Sequence, residues 1–504
     1  MSNPARSPFK ARNFRRFINR EVCAAPSLRA ICRARKDPET MPRLSRRSFL
    51  TASAAFATGP AMAAGTAVDV VIVGAGAAGI AAARRIAAAG RRFVVIEAAD
   101  HVGGRCVTDT RTFRVAFDRG AHWLHAPDFN PLMRLKVRRG LEIYPAPASQ
   151  KVRIGRRYAR EGELEDFLAL QVRANRGIAD AARKGDTSCA QALPNDLGDW
   201  RPAIDFVLGP FGCGKDLAQI STVDFAKSLE RNTDSFCRQG LGTLVASLAE
   251  GIPVKLSTPA TAIDLRRGVV VETTAGAIAA QTAIVTVSTN VLASGAIRFT
   301  PELPRRQIDA LGKLSLGSYD HIALELDGNP LGFESDELVF EKSANTRTAA
   351  ILANVSGTQL CLIEVAGSFG RDLSAHSEAA MVNFAADWLA DLYGNEVKKA
   401  IKRSQATRWN NEPRTLGAFS AAAPGGQSAR RVLMEPLLNA VWFAGEAAHE
   451  TLWGTVGGAW DSGERAADAV LRRLGGGKEP ATADTTATPA RPAQRLRAAP
   501  RYTR

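Results

Sequence analysis

The chain has 504 residues, 45% of them hydrophobic and 23% charged, the balance of an ordinary globular protein with room for two or three domains' worth of core. Its net charge of +16 sits in the tails: residues 1–40 carry +7, residues 41–64 carry +3 and residues 472–504 carry +6, so residues 65–471 are neutral. A neutral body argues against nucleic-acid binding, which needs a basic face on the fold. Beyond the N-terminus no apolar run reaches the roughly 18 residues of a stable membrane span. The seven cysteines, Cys23, Cys32, Cys106, Cys189, Cys213, Cys237 and Cys361, form no CxxC pair, so neither a metal site nor a redox dithiol is expected. Cys213 and Cys237 are open to pairing in an oxidising compartment or to remaining buried thiols.

The first recognisable segment is an address. Ser45-Arg46-Arg47-Ser48-Phe49-Leu50 precedes a small-residue apolar run that ends at Ala61-Met62-Ala63-Ala64. Basic start, apolar middle and small-x-small ending are the layout of a secretory signal, and the paired arginines resemble a twin-arginine export signal. That predicts a partner in the twin-arginine machinery and a periplasmic or secreted location. Met41 is then a candidate start, with residues 1–40 a further extension. At the other end Gly475–Arg504 is rich in Ala, Thr, Pro and Arg, and reads as a disordered tail.

Next comes a dinucleotide cradle. Val68–Val73 is a β-branched run of the kind that forms a buried parallel strand. Gly74-Ala75-Gly76-Ala77-Ala78-Gly79 follows at once, then an alanine-rich helix over Ile80–Ala89 stopped by Gly90, then a strand over Arg92–Ile96 ending at Glu97. Gly74 makes the tight turn, Gly76 lets the backbone approach a pyrophosphate, and Gly79 lets helix pack on strand. The helix start, with Ala77 and Ala78, offers free N–H groups to the phosphates. Glu97 stands 23 residues after Gly74, where an acid accepts hydrogen bonds from ribose hydroxyls. This motif does not choose between NAD and FAD.

The following residues do. His101-Val102-Gly103-Gly104-Arg105 and Phe117-Asp118-Arg119-Gly120-Ala121-His122-Trp123 resemble the flavin-containing amine oxidases, the family of monoamine, polyamine and L-amino-acid oxidases and related histone demethylases. The resemblance implies that Gly104 and Arg105 sit by the cofactor phosphates and that Gly120, Ala121, His122 and Trp123 pass the isoalloxazine ring. More than 300 residues later, Val441-Trp442-Phe443-Ala444-Gly445-Glu446 and Gly454-Thr455-Val456-Gly457-Gly458-Ala459 resemble the far end of the same family. There Gly445 and Glu446 would reach the ribityl–phosphate region, and Thr455 and Val456 the pyrimidine edge. Ile252-Pro253-Val254-Lys255-Leu256 is similar too, and implies that the Val254 backbone meets the adenine.

The resemblance covers roughly residues 68–471. It implies an α/β fold in which a Rossmann-type FAD-binding domain (66–125, 236–300 and 405–474) is interleaved with an α+β substrate domain. The latter would take 126–235, expected to be helical, and 301–404, with sheet and a helix near Ser377–Leu392. Residues 1–64 and 475–504 lie outside both.

The implied chemistry is hydride transfer from the carbon bearing an amine to flavin N5, giving an imine that water hydrolyses; the cofactor does the difficult chemistry and the protein places it. Four places set the subtype. Ala418 stands where monoamine oxidases carry the cysteine that bonds flavin, so FAD is expected to be non-covalent. Phe419 and Thr455 replace the two cage tyrosines, and Phe419 becomes a candidate substrate wall. Trp123 stands where amino-acid oxidases carry a carboxylate-clamping arginine, while Trp123-Leu124-His125 is similar to a polyamine-oxidase stretch whose histidine faces the substrate. These favour an amine over an amino acid. His321 in Gly317-Ser318-Tyr319-Asp320-His321 replaces a lysine that holds a water beside N5, which leaves oxygen or a periplasmic redox carrier open as electron acceptor. Finally, Ser288 stands where the family has proline. The candidate catalytic residues are therefore Trp123, His125, His321 and Phe419. The alternatives are an L-amino-acid oxidase or tryptophan 2-monooxygenase-like enzyme, and a non-catalytic flavoprotein scaffold. A homodimer is left open.

Overall fold

Val68-Asp69-Val70-Val71-Ile72-Val73 forms β1 (Val68–Val73), and its two faces enter two different cores. Val71 and Val73 pack on one side with Ile96, Val285 and Phe443. Val70 and Ile72 pack on the other with Ala78, Ala82 and Ile86. A strand covered on both sides needs a continuous apolar run, which is what the sequence supplies. The computed structural model describes residues 68–475, apart from 136–139, 148 and 229–233. The paired arginines, Met41 and nearly all of the expected tail lie outside the described residues.

β1 belongs to an eight-stranded sheet. Its neighbours are β2 (Phe93–Ile96) and the long strand Gly276–Val285, both parallel to it. Val254–Lys255 extends the sheet beyond β2, and Val441–Phe443 lies parallel beside Gly276–Val285. The register sets Val73 against Ile96 and Val285, Ile96 against Lys255, and Val285 against Phe443. The carboxyl ends of five parallel strands thus finish at one level, the place where open α/β sheets bind ligands.

Helix α1 (Ala77–Ala88) starts three residues earlier than the sequence suggested, inside the glycine run. Gly79 makes that possible: a Cβ there would stand 1.9 Å from the Gly74 carbonyl oxygen. The other long helix of this layer, α3 (Val456–Arg473), packs on α1 through Gly463, where a Cβ would stand 2.1 Å from the Ala78 carbonyl. Backbones this close require residues without side chains.

A second, seven-stranded sheet is built around the antiparallel pair β3 (Tyr319–Leu326) and β4 (Leu360–Ala366). One face, with Ile322, Leu324, Ile363 and Val365, is covered by helix Glu378–Tyr393 through Met381, Ala385, Trp388 and Leu389. The opposite face carries Ala323, Leu360 and Leu362, packed with Phe113, Phe117 and Phe236. Residues 126–235 are not simply helical, as had been expected. They hold helix α2 (Glu161–Lys184), but Gln150–Ile154 pairs in parallel with Glu337–Glu341 and extends the second sheet. Its alternating polar and apolar residues suit a strand and not an amphipathic helix. No disulfide joins Cys213 and Cys237; both are buried thiols.

Candidate active site

The aligned strand ends open into one continuous cavity of about 2780 Å³. That exceeds the ~300–1000 Å³ of a usual small-molecule site and leaves room for a dinucleotide together with a substrate. Gly74, Gly76, Ala77 and Ala78 line one end, with Glu97, Gly104 and Arg105. Gly74 turns the chain at φ +105°, a conformation that favours glycine. Both Glu97 oxygens are held by backbone N–H groups, Oε2 by Ala75 at 2.7 Å and Oε1 by Ala99 at 2.8 Å. Each oxygen keeps a second lone pair, as a ribose hydroxyl requires.

One expected contact is corrected, while Gly79 keeps the packing role its spacing implied: it does not line the cavity but is the packing point between helix and turn. Val254 does not line it either: its side chain packs against the core beneath β1, and its strand lies beside β2. The chain then turns through Ser257 at φ +50°, and Thr258, Pro259 and Ala260 reach the cavity instead.

The middle of the cavity is fastened by buried charge. The Glu446 carboxylate accepts from Arg105 Nη1 at 3.0 Å, Ser420 N at 3.1 Å, Ser420 Oγ at 2.7 Å and Gly454 N at 2.9 Å. Burial alone would raise its pKa, but Arg105, Ser420 and Arg430 outweigh burial and hold it below the usual carboxylate range. Arg105 also donates to the Ala418 carbonyl, so the segment that begins and the segment that ends the site are tied directly. Behind them Arg430 makes a bidentate pair with Asp224 at 2.7 and 2.8 Å, both essentially fully buried, and donates to Ser420 Oγ and the Ala447 carbonyl. Sequence reasoning missed Arg430, Asp224 and Ser420. Asp224 and Arg430 lie 206 positions apart, and no local pattern marks either.

Gly120, Ala121, His122 and Trp123 all line the cavity. The Trp409 indole packs over Gly120 and donates to the Arg119 carbonyl at 2.8 Å. Gly445, Glu446, Thr455 and Val456 close the opposite side. Thr455 caps α3: its hydroxyl accepts from Gly458 N at 2.9 Å and donates to the Leu452 carbonyl at 2.7 Å. The start of an 18-residue helix, with its partial positive charge, therefore borders the cavity. Ser288 caps Thr289–Ala293 by accepting from Val291 N at 3.2 Å, and it donates to the Thr415 carbonyl at 2.6 Å. A proline there could do neither.

The four candidate catalytic side chains also line the cavity. Trp123 and His125 stack with their rings 3° from parallel, and His125 Nδ1 lies 3.0 Å from Asp234 Oδ1. Phe419 joins an aromatic wall that runs Phe340, Phe211, Tyr319, Phe419, with ring centroids 4.9 to 6.2 Å apart. His321 sits beside Tyr319, and burial pushes its imidazole down to about 4. It is neutral at physiological pH, unlike the lysine it replaces.

Comparison with known proteins agrees with this architecture. Residues 77–471 match the model of a family described as flavin containing amine oxidoreductase. The chain belongs to that family. It binds FAD and oxidises an amine. The glycine cradle, the anchored Glu97 and the Arg105–Glu446 tie are fitted to that cofactor. The chain is 26% identical to polyamine oxidase 4 of Oryza sativa subsp. japonica over 443 residues, covering 81% of this chain and 89% of the relative. It is also 26% identical to mouse lysine-specific histone demethylase 1B, of which it spans only 52%. Among solved structures it resembles putrescine oxidase bound to putrescine (TM-score 0.67, 20% identity, 81% of this chain and 99% of that one). Cyclohexylamine oxidase from Brevibacterium oxydans IH-35A is similar at TM-score 0.67 and 19% identity, over 81% of this chain and all of that one. Among the described residues no helix is long and apolar enough to cross a membrane, and no cluster of side chains could hold a metal ion.

Proposed function

We propose that the substrate is a primary or secondary amine carried on an apolar or aromatic body, oxidised to an imine that water then hydrolyses. The observation that carries this reading is the wall Phe340–Phe211–Tyr319–Phe419, continuous with His321 and without a charged side chain of its own. FAD, when bound, accepts the hydride. The chain's residues supply the surroundings: an aromatic, poorly hydrated pocket disfavours the ammonium form and so raises the share of neutral amine, the form that reacts. The carboxylates Glu161, Glu165 and Asp180 and the arginines Arg176 and Arg183 also line the cavity, but all are exposed on α2 and belong to its rim. This mixed rim offers no string of anions for a polyamine.

The test is anaerobic bleaching of the flavin. Aromatic and cycloalkyl monoamines are expected to bleach it fastest, with polyamines and L-amino acids slower. Bleaching by L-amino acids alone would overturn the amine reading. Preferential bleaching by spermidine or putrescine would keep it but reject the apolar body. Readmitting air then tells oxygen from a separate redox carrier as acceptor. With alanine at position 418, acid precipitation is expected to release all the flavin into solution.

The proposal extends to location. Arg46-Arg47 ahead of a small-residue apolar run supports export of the folded holoenzyme by the twin-arginine route. Replacing both arginines by lysine should hold the protein and its flavin in the cytoplasmic fraction; unchanged fractionation would dismiss this part.

A further inference from the structure

β4 reads Leu360-Cys361-Leu362-Ile363-Glu364-Val365-Ala366, and every residue in it is buried. Glu364 is its one carboxyl. The strand register sets it across from His321, with Glu364 Oε1 3.7 Å from His321 Nε2. Glu364 is 1% exposed, and neither of its oxygens makes a well-formed hydrogen bond, the Tyr319 hydroxyl being the donor beside it. The buried Nε2 of His122 makes none either. Buried polar atoms are almost always satisfied, so three such atoms in one neighbourhood require an explanation.

The partners fix where the protons are. His321 Nδ1 lies 3.0 Å from the Asp118 backbone carbonyl, which can only accept. Nδ1 therefore carries the hydrogen and Nε2 presents a lone pair. His122 Nδ1 lies 2.9 Å from Asp118 Oδ2, in a carboxylate that also accepts from Leu241 N, Gly242 N and Thr108 Oγ1. Its Nε2 is bare as well. His122 is close enough to act electrostatically on both Glu364 and His321. A carboxylate at 364 would thus face the lone pair of His321 Nε2 in a fully buried site, with the Tyr319 hydroxyl as the donor beside it. A carboxylic acid supplies the missing O–H. The other groups nearby leave this balance unchanged. Ala350, across from Glu364 on the next strand, has no polar side chain. Asp320 points to the opposite face of β3, where it accepts from Thr407 Oγ1 and Trp409 N.

We propose that Glu364 is a positioning residue that holds one proton towards His321 Nε2, and so keeps His321 neutral and fixed on the cavity wall during amine oxidation. Burial pushes the Glu364 carboxyl up to about 7, which agrees with the proton count drawn from the geometry. Above that pH the carboxyl ionises and places a negative charge behind the wall. That charge favours the ammonium form of a bound amine and opposes the loss of the proton that must precede hydride transfer. The inference deepens the amine-oxidising reading of the cavity and rests on it.

The test uses Glu364→Gln, whose amide can donate to a bare Nε2 but cannot titrate. The readout independent of turnover is the infrared carbonyl band of a protonated carboxylic acid, followed in FAD-loaded protein labelled with ¹³C-glutamate. A Glu464→Gln background removes the other glutamate, among the described residues, whose carboxyl is raised by burial. An acid band is expected below about pH 7, fading above it and missing in E364Q. The matching kinetic expectation is that E364Q reduces its flavin at the wild-type rate below about pH 7 and severalfold faster above it. An acid band that persists in E364Q, or none in the wild type near neutral pH, would overturn the proposal. Should E364Q fail to retain FAD, the wild-type titration decides by itself. Because the band is read without substrate, the outcome is separate from which amine bleaches the flavin.

Discussion

The nucleotide end of the cavity and its catalytic wall are built on opposite principles. At the nucleotide end the named carboxylates and Arg430 are anchored: Glu97 by two backbone N–H groups, Glu446 by four donors, Arg430 by Asp224, Ser420 and Ala447. Removing one member would leave a buried charge uncompensated, which costs about 3–5 kcal/mol. At the wall His122 Nε2 and both Glu364 oxygens make no well-formed hydrogen bond amid aromatic rings. A cofactor held permanently calls for a finished, rigid cradle. A wall that must meet a substrate and manage its proton keeps capacity in reserve.

The hardest blow to the finished end is Gly79→Val. A Cβ at this position meets the Gly74 carbonyl oxygen at 1.9 Å, and backbone cannot retreat as a side-chain tip can. Overpacking in a yielding core costs ~1–3 kcal/mol; here the cost should exceed that, because α1 must move off β1. The purified variant is expected to carry almost no flavin, read as the ratio of visible to ultraviolet absorbance. A full complement of FAD would mean that the cradle tolerates a shift of its helix, and the contrast drawn above would weaken.

The unfinished wall should reveal itself through pH. The Glu364 carboxyl is raised from its ordinary value of 4.5 to about 7. A carboxyl raised by folding contributes stability that is fully present below its unfolded pKa and is lost as pH climbs through its folded one. Wild type should therefore lose up to ~3 kcal/mol relative to E364Q between about pH 4.5 and pH 8, with the two alike at the acid end. His321 acts in the opposite sense. Its imidazole is depressed from 6.5 to about 4, so its share is present above 6.5 and is lost as the solution is made more acidic. Denaturant midpoints for wild type and E364Q across this range would check both signs. Parallel curves would place Glu364 among inert buried acids.

What could be read in the sequence divides along the same line. The cradle was legible because its demands are local: a strand, glycines at fixed offsets, a helix and an acid, all within 30 residues. Gly445, Glu446, Thr455 and Val456 were legible for the same reason. Val254 was misplaced by four to six residues because an irregular turn at Ser257, not a periodic element, decides what reaches the cavity. Arg430 and Asp224 were invisible, since their pairing exists only once distant segments meet. Glu364 did leave a trace, one acid in an otherwise apolar seven-residue strand, but its partner His321 is identified only by strand register.

The gentlest test separates wall from core at Phe419. Its ring lies 5.8 Å from that of Tyr319 and lines the cavity, yet the residue is half buried. Aromatic pairs contribute ~0.5–1.5 kcal/mol beyond their area. Phe419→Leu keeps most of the volume and removes the flat face. If the ring forms the substrate wall, KM for an aromatic amine should rise by up to about tenfold, corresponding to ~1.4 kcal/mol. A small alkyl amine should change little, and flavin content should stay full. A uniform rise for both amines would point to a general loosening of the pocket. Loss of flavin with unchanged KM in the fraction that remains would assign Phe419 to the packing around Gly214, where its ring edge already stands 3.4 Å from the position a Cβ would take. The catalytic wall would then begin at Tyr319 and His321.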